Sequence, residues 1–410
     1  MKKIFNLCLI VFVLCSCNKK VATIVEVENP SLYARVNEIV EVPLGDVSNK
    51  LNLKKGDRFI VTDNAGIETP YQITYDGKII FPVNVAAQSE AIYLIKKGIP
   101  AEPLAKAYGR QYPERVDDIA WENDLVVFRT YGPALQATGE KAFGYDIWVK
   151  NTKELVTEAR YGKELNPETV AKIRELSQTD PQAANNLRRE TSYHLDHGDG
   201  MDCYKVGATL GGGTTAILTE GSIVYPYCYR TYEILDNGPL RFTVKLVYNP
   251  LKVNEKENVV ETRVITLDAG SYLNKTVVSY AGIDGVVSVA TGIVLHENEN
   301  EIFTDADNGF MTYVDPTEDP NNDNGKIFIG AVFPEKVNEI HSVLFSPDEK
   351  KERGAEGHLL AISDYTGGSN YTCYWGGAWS KADITNPDAW NQYVTEFAEK
   401  VRKPCSISLP

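Results

Sequence analysis

The sequence predicts a mostly β protein, in which an N-terminal β-sandwich is followed by a large β-supersandwich with a short helical insertion. Short strand-like runs alternate with turn signals along most of the chain, which is typical of sandwiches. A β region of about 300 residues is too long for one small sandwich and favours a many-stranded, two-sheet supersandwich. We expect a signal peptide at residues 1–17, the sandwich at 22–99 and the supersandwich at 104–410.

The first 17 residues resemble a bacterial lipoprotein signal peptide. Lys2 and Lys3 precede a mostly apolar stretch, and the segment ends in Leu-Cys-Ser-Cys at Cys17. The apolar stretch is shorter than the roughly 20 residues that a membrane-spanning helix needs. We therefore expect Cys17 to carry a lipid that anchors the protein in a membrane, with an ordinary secretory signal as the alternative. An acidic run just after the lipid-carrying cysteine would resemble a surface-export signal, and residues 18–20 contain no such run. This favours a periplasm-facing anchor, on the outer membrane rather than the inner one.

Four apolar or alternating runs predict the strands of the N-terminal sandwich. They lie at residues 23–27, 39–42, 58–61 and 92–95, and Asn-Pro, Asp-Asn and Asp-Gly pairs separate them. A segment rich in proline and glycine at 97–103 is typical of a linker.

The supersandwich region begins with strand-like runs at 125–129 and 145–149. Helical spacing of apolar residues then predicts a helix from Pro167, which Pro181 breaks, and a second short helix through Leu187. From residue 204 to 380 the pattern is β again, with hairpin signals at 236–239 and at Asp284-Gly285. Aromatic residues at helical spacing predict a final helix at 387–400.

The bulk composition excludes some partners and favours others. The formal net charge is −14, and it becomes −16 once Lys2 and Lys3 leave with the signal peptide. Such an acidic chain offers no basic surface for nucleic acid. The 23 tyrosines and five tryptophans suit surfaces that are half apolar and half hydrogen-bonding, as sugars are, although such rings also fill sheet faces. The four cysteines after Cys17 fit no zinc pattern and predict buried thiols or one or two disulfides.

The densest chemical segment is Tyr-His-Leu-Asp-His-Gly-Asp-Gly-Met-Asp-Cys-Tyr-Lys at 193–205. His194 and His197 are candidates for proton transfer near neutral pH, and carboxylates such as Asp199 can orient them. Tyr204 and Lys205 are candidate substrate contacts. A metal site formed by these nitrogen and oxygen ligands and a hydrogen-bonded structural loop are the alternatives. We assign no metal, because the spacing lacks the fixed geometry of a known metal motif.

A second segment, at residues 112–133, combines an aromatic ring with charged side chains. Trp121 offers a stacking face, Glu122 and Asp124 are candidate acids or substrate contacts, and Arg129 could hold a carboxylate in a bidentate fork. The alternative is a salt-bridged β-hairpin in which the arginine pairs with its own acids.

A third segment, at residues 364–380, places aromatic rings around paired glycines. Tyr365, Trp375 and Trp379 are candidate sugar-stacking residues, with core packing as the alternative. Tyr229 and Arg230 are smaller candidates that follow a glycine-rich turn. His296 closes a strand and is a weaker candidate, and we expect His341 and His358 to lie on the surface.

Two strings carry a family resemblance. Residues 115–133 (Arg-Val-Asp-Asp-Ile-Ala-Trp-Glu-Asn-Asp, then Phe-Arg-Thr-Tyr-Gly-Pro) and 193–207 resemble the hallmark strings of the domain of unknown function 4861 family. The resemblance covers residues 22–409. This family is common in gut and marine Bacteroidota and tends to accompany pectin-degrading enzymes, including unsaturated-rhamnogalacturonyl hydrolases. It implies a glycan-processing role and a mutarotase-like supersandwich, and it assigns no residue roles.

The leading hypothesis is an enzyme that acts on uronate-containing, pectin- or rhamnogalacturonan-like oligosaccharides. In a lyase, His194 or His197 would remove the proton at C5, Arg129 would stabilise the carboxylate and Tyr229 would protonate the leaving oxygen. In a hydrolase, Glu122 and Asp199 would act as acid and base. A non-catalytic sugar-binding lipoprotein and an aldose-epimerase-like enzyme remain the alternatives. The sequence indicates no particular cofactor.

Overall fold

The computed structural model describes residues 22–297, 301–319 and 322–410. The predicted signal peptide, the lipid-carrying Cys17 and the export-signal positions 18–20 lie outside these residues. The mostly β fold that the sequence predicts is confirmed within them. Over the same ranges, no helix is long and apolar enough to cross a membrane.

Antiparallel strands make up most of the described chain. The strands are β1 (Ala22–Asn29), β2 (Arg35–Pro43), β3 (Phe59–Asp63), β4 (Glu68–Thr69), β5 (Gln72–Ile73), β6 (Lys78–Val85), β7 (Ser89–Lys97), β8 (Ala107–Tyr112), β9 (Asp118–Asn123), β10 (Val127–Thr130), β11 (Asp146–Lys150), β12 (Gly200–Asp202), β13 (Gly212–Thr219), β14 (Ser222–Val224), β15 (Tyr229–Asn237), β16 (Arg241–Tyr248), β17 (Leu251–Val253), β18 (Lys256–Asp268), β19 (Leu273–Ala281), β20 (Val286–Leu295), β21 (Ile302–Asp305), β22 (Phe310–Asp315), β23 (Ile327–Val332), β24 (Glu339–Leu344), β25 (Gly357–Thr366), β26 (Tyr371–Trp379) and β27 (Ser406–Ser408). The α-helices are α1 (Leu44–Leu51), α2 (Pro133–Ala137), α3 (Thr157–Glu164), α4 (Pro167–Thr179), α5 (Pro181–Thr191), α6 (Pro347–Arg353) and α7 (Pro387–Arg402).

The N-terminal strands form two antiparallel sheets around their own apolar core. One sheet has the order β27-β1-β7-β3-β4 and the other the order β2-β6-β5. In β1, Val25 and Val27 are buried while their neighbours point outward, the period-two pattern of a strand with one face on a core. Val27 lies opposite Ile407 of β27, so this unit contains residues from near the C-terminus as well.

The larger unit contains three sheets that share one apolar core. A nine-stranded sheet has the order β15-β16-β18-β19-β26-β23-β22-β21, with β17 beside β18. Two five-stranded sheets have the orders β14-β13-β20-β25-β24 and β12-β11-β10-β9-β8. Phe128, Ile293 and Trp375 come from different sheets and lie in this common core. Helix α7 covers the outer face of the nine-stranded sheet with Trp390 and Val394.

The helical insertion that the sequence predicts is confirmed, and it covers the outer face of the β8–β12 sheet. Helices α4 and α5 meet at Pro181, and Asn166 caps α4 by accepting hydrogen bonds from the backbone amides of residues 168 and 169. Tyr161 of α3 and Tyr193, which follows α5, both pack on Trp148 of β11. This contact places the loop at 193–199 beside the edge of the sheet.

One of the two predicted hairpins is confirmed and the other is wrong. Strands β15 and β16 pair across residues 236–239. Asp284-Gly285 joins β19 to β20, but β19 pairs with β18 and β26, whereas β20 pairs with β13 and β25. A turn signal fixes a local reversal of the chain and does not determine whether the next strand stays in the same sheet. The four cysteines within the described ranges, Cys203, Cys228, Cys373 and Cys405, are free thiols.

Candidate active site

A cleft of about 450 Å³ lies where strands of two sheets of the larger unit end. His296 directly follows β20, and Asp315 is the last residue of β22. The loops that continue these strands, together with the chain after β12 and the turn after α6, form the walls. The lining residues are Lys205, His296, Glu297, Pro316, Thr317, Glu318, Asp319 and Gly354.

A histidine–aspartate pair forms part of this cleft. The Nδ1 atom of His296 lies 2.6 Å from Oδ2 of Asp315, and the Asp315 side chain is buried. The other Asp315 oxygen accepts a hydrogen bond from the amide of Thr317. Among the described residues, Nε2 of His296 is buried and has no hydrogen-bond partner. A carboxylate on Nδ1 fixes the tautomer in which Nε2 can accept a proton, so this pair can act as a general base.

The backbone at His296 is fixed by Tyr313. Its hydroxyl accepts hydrogen bonds from the amides of His296 and Glu297, each at 3.2 Å. Tyr313 is buried on β22, two residues before Asp315. One strand therefore positions both the backbone of the histidine and its carboxylate partner.

The segment that continues β12 forms another wall of the cleft. The Tyr204 ring lies edge-on to the His296 ring with their centroids 5.9 Å apart. Burial raises the pKa of the Tyr204 hydroxyl well above its ordinary value, so it keeps its proton at neutral pH. The carbonyl of Cys203 accepts a hydrogen bond from the amide of Glu318 at 2.8 Å, which joins this segment to the loop after β22.

A buried charge cluster lies next to the cleft, on the outer face of the β8–β12 sheet. Arg129 forms ion pairs with Asp146, directly opposite on β11, and with Asp202 on β12 at 3.0 Å. The Asp118 carboxylate on β9 lies 3.8 Å from the same guanidinium, and the Arg115 guanidinium lies 4.0 Å from that carboxylate. Three buried carboxylates thus surround one buried arginine.

Two of these carboxyl groups titrate far from their ordinary range. Burial raises the pKa of Asp118 to about 7, although Arg129 and Arg115 oppose the shift. Burial, reinforced by Asp146, raises the pKa of Asp202 to about 7 as well. Carboxyl groups that hold protons near neutrality are typical of functional sites, but they also occur in structural ion-pair networks.

A second cleft, of about 500 Å³, lies on the other side of the loop after β22. Its lining includes Arg189, Asp196, His197, Asp323 and Lys381. In neither cleft, nor elsewhere in the described ranges, does any group of three or more histidine, cysteine, aspartate or glutamate side chains lie where it could hold a metal ion.

The family model described as "Domain of unknown function (DUF4861)" matches residues 27–407. The chain belongs to this family. The resemblance carried by the strings at 115–133 and 193–207 is therefore confirmed.

Other similar proteins extend over most of this DUF4861 chain. A relative from Formosa agariphila, "Uncharacterized protein P7", is 25% identical over 408 residues, which cover 94% of this chain and 93% of the relative. An alpha-mannosidase of known structure from Enterococcus faecalis V583 is 9% identical, with a TM-score of 0.48, and the match covers 95% of this chain and 46% of the mannosidase.

A second solved structure, a protein in the Glycosyl Hydrolase Family 38 from Enterococcus faecalis, is also 9% identical, with a TM-score of 0.50. The match covers 95% of this chain and 48% of that protein. The chain thus spans about half the length of the solved structures that it matches. At this identity the likeness concerns the fold alone.

The histidine-rich segment of the DUF4861 chain lies at the rim of the charge cluster, away from His296. Nδ1 of His194 lies 3.5 Å from Oδ2 of Asp202, and its ring is largely exposed. His197 lies in the second cleft with Nε2 2.9 Å from the carbonyl of Ser192, and Asp199 lies 3.8 Å from Arg160. The two histidines therefore do not share one cleft. Lys205 is the predicted contact that lines the His296 cleft. Tyr204 also lies beside His296, but it is buried in the core and its hydroxyl does not reach the cleft, so this predicted contact is corrected.

Three predicted catalytic side chains are already occupied by partners within the protein. Arg129 is buried and already paired with its own aspartates, so it does not hold a substrate carboxylate in a fork. Glu122 is buried against Lys150 at 2.9 Å and accepts the amides at the start of α3. The Tyr229 hydroxyl donates to the carbonyl of Asp117. These three predictions are corrected, because each group stabilises the fold instead of facing a cleft.

The predicted sugar-stacking rings are corrected in the same way, because they lie in the core. Trp121 donates to Asn274 at 2.8 Å and Trp375 donates to Thr276 at 2.7 Å. The Trp375 ring also stacks on Tyr145 with centroids 4.0 Å apart. Trp379 and Tyr365 are buried too, so none of these four rings offers an exposed face.

Two other predicted contacts lie apart from the His296 cleft. Asp124 accepts the amide of Gly270 at 2.7 Å and is nearly buried, whereas Arg230 is exposed on β15. The surface position predicted for His358 is wrong: its side chain is buried, Nε2 accepts the amide of Leu210 at 3.0 Å, and burial lowers its pKa to about 3.

In the sequence, His296 is only a weak candidate, and nothing singles out Asp315 as a functional residue. Both are polar residues at strand ends, and Asp315 opens a long polar loop, which is the one signal that could have selected them.

Proposed function

We propose that this chain is a carbohydrate-active enzyme that processes uronate-containing oligosaccharides, as a lyase or a glycoside hydrolase, in the His296 cleft. The His296–Asp315 pair carries the proposal, because a buried carboxylate on Nδ1 leaves Nε2 as the proton acceptor. A solved protein of similar fold belongs to a glycosyl hydrolase family, and the family resemblance implies a pectin-degrading context. Both support a glycan substrate.

In the lyase form, the cleft supplies a candidate base and a candidate group that neutralises the substrate carboxylate. The His296 side chain lines the cleft, and a rotation that brings its buried Nε2 atom to the cleft lets Nε2 take the proton at C5 of the uronate. The Lys205 ammonium neutralises the substrate carboxylate as charge develops on it. The electron pair then forms the C4–C5 double bond and expels the oxygen at C4. The departing oxygen takes its proton from water, because the Tyr204 hydroxyl is buried and does not line the cleft.

In the hydrolase form, Glu297 and Glu318 would supply the acid and the base, since both lie in the cleft wall. The sugar-binding alternative loses its basis, because the aromatic residues that suggested it are buried in the core.

Product analysis on a panel of uronate oligosaccharides tests the proposal. A lyase is expected to produce the ultraviolet absorbance of a new C4–C5 double bond, and a hydrolase to release reducing ends without that absorbance. Rhamnogalacturonan and glucuronan fragments, each offered with and without methyl-esterified carboxylates, form the panel. A cooperative melting transition shows that the enzyme used is folded. If folded enzyme yields neither product from any glycan of the panel, the proposal is contradicted.

We also propose that a lipid on Cys17 holds the protein at the periplasmic face of a membrane, the outer membrane rather than the inner one. The lipoprotein-like end of the signal peptide supports this location. Substituting Cys17→Ala should move the protein from the membrane fraction to the soluble fraction of the cell. Retention of the variant in the membrane fraction would count against the lipid anchor.

A further inference from the structure

The charges that line the His296 cleft are unevenly divided between the two signs. Of the described residues in its wall, Lys205 alone carries a full positive charge. Glu297, Glu318 and Asp319 are carboxylates in the same wall, and the first two are exposed with no ion-pair partner among the described residues. A ligand in this cleft therefore meets one ammonium group and several carboxylates.

Lys205 is available to a ligand and has a defined place. It is exposed, and within the described ranges its ammonium group has no ion-pair or hydrogen-bond partner. A Cβ atom added at Gly354 would lie 2.6 Å from the Lys205 Nζ atom, so the lysine side chain lies against the backbone at the end of α6. This glycine has φ +64, the left-handed conformation that suits it as the C-cap of the helix.

The two glutamates oppose any further negative charge on the ligand. Glu318 is joined to the segment before Lys205 through its backbone amide, and Glu297 directly follows His296. One carboxylate on the ligand can pair with Lys205, but a second one meets like charge. Two like charges about 5 Å apart in a partly exposed site weaken binding by roughly fourfold to two-hundredfold. The chain's formal charge of −14 adds to this by slowing the approach of polyanions.

We infer that the cleft selects an oligosaccharide that presents one uronate among neutral sugars, and that it discriminates against runs of adjacent uronates and against sulfated chains. This inference rests on the proposed function and narrows its substrate class. The Lys205 ammonium recognises the single carboxylate beside the His296 base, and Glu297 and Glu318 exclude polyanions.

A matched pair of substrates tests the inference. One is a rhamnogalacturonan-type oligosaccharide in which uronate and neutral sugar alternate, and the other is an oligogalacturonate of the same length. We expect kcat/KM to favour the first by at least about tenfold at low salt, and the ratio to fall as salt rises, because screening weakens exposed charges. Equal rates on the two substrates, or a preference for the oligogalacturonate, would overturn the inference.

Charge-neutral variants show whether the cleft causes the preference. The double variant Glu297→Gln/Glu318→Gln should reduce the preference several-fold. Here the preference is measured as the ratio of the dissociation constants of the two oligosaccharides, because the hydrolase form needs both glutamates for turnover. The control variant Glu220→Gln/Glu233→Gln removes the same amount of charge from exposed positions. Glu220 follows the end of β13 that lies far from His296, and Glu233 lies on the edge strand β15. This control should leave the ratio unchanged. Similar ratios in both double variants would mean that the total charge, and not the cleft, selects the substrate, which overturns the inference.

A further variant separates recognition of the single carboxylate from exclusion of others. Lys205→Met should abolish the preference for a free uronate over its methyl ester, and an unchanged preference would contradict the role of Lys205. Absence of turnover on every glycan would be a failure of the proposed function. Turnover with the opposite substrate preference would overturn the inference alone.

Discussion

Replacing His296 with alanine is expected to lower kcat/KM by about 10²- to 10⁴-fold, the range that a positioned general base contributes. The substitution removes the imidazole ring, whose Nδ1 atom pairs with Asp315. It thereby removes Nε2, which has no hydrogen-bond partner among the described residues. The measurement is the initial rate on the best oligosaccharide of the panel, together with the urea midpoint of unfolding. A variant that is as stable as the parent and equally active would exclude His296 as the base.

Two further variants distinguish a chemical role from a general effect of changing a histidine. His341→Ala lies on β24 with a largely exposed ring, so it should leave both activity and stability unchanged. Asp315→Asn keeps the shape of the buried partner but no longer fixes Nδ1 as a donor, because the amide can itself donate. It should lower kcat while KM changes little, whereas a purely structural role would lower stability first.

Much of the fold could be predicted because its signals are local. The alternation in β1, the proline break between α4 and α5, and the aromatic spacing of α7 each lie within one element. Each reflects the period of a strand or a helix, or a residue that cannot continue one. Such signals are visible in the sequence whichever other elements pack against that strand or helix.

The aromatic strip at 371–379 shows what local signals do not determine. Strand β26 lies inside the nine-stranded sheet, with the shared core on one face and α7 on the other. Tyr374 and Ala378 therefore pack against the helix, while Trp375 and Trp379 enter the core. An aromatic-rich strand can have the same local pattern whether both its faces are buried or one face is open to a sugar. The elements that bury such a strand come from residues far along the chain.

The candidate base was hard to predict for a related reason. His296 and Asp315 are 19 residues apart, and they meet because β20 and β22, which belong to different sheets, end at the same place. His194 and His197 are close in sequence, yet their rings make contacts on different sides of the loop. Proximity in sequence was thus a poor guide to which side chains share a cleft.

The buried charge cluster leads to the largest expected effect on stability. Substituting Arg129→Met removes the only guanidinium among the described residues that contacts Asp146 and Asp202, and it leaves buried carboxylates without their counter-ion. Breaking a buried ion pair from one side costs about 3–5 kcal/mol in the free energy of unfolding. Urea denaturation at pH 8 measures this loss. A change below about 1 kcal/mol would show that the cluster does not depend on Arg129.

The same cluster predicts how stability depends on pH. The pKa of Asp118 is about 7 in the folded protein and 3.8 in its ordinary state, so the folded protein binds the proton more tightly. This group therefore stabilises the fold fully below about pH 4, and its contribution is lost as the pH rises from there to about 7. Asp202 changes in the same direction. Each carboxyl group contributes at most about 1.4 kcal/mol for each pH unit in this range.

Asp118→Asn isolates one of these contributions, because the amide cannot ionise. The variant should lose less stability than the parent between pH 5 and pH 8, whereas Glu233→Gln, exposed on β15, should follow the parent. In the Arg129→Met background the loss should be larger at pH 8 than at pH 5, since protonation neutralises the carboxylates that the arginine would otherwise balance. Parallel pH profiles for the parent and Asp118→Asn would mean that Asp118 ionises normally, and the raised pKa would then be wrong.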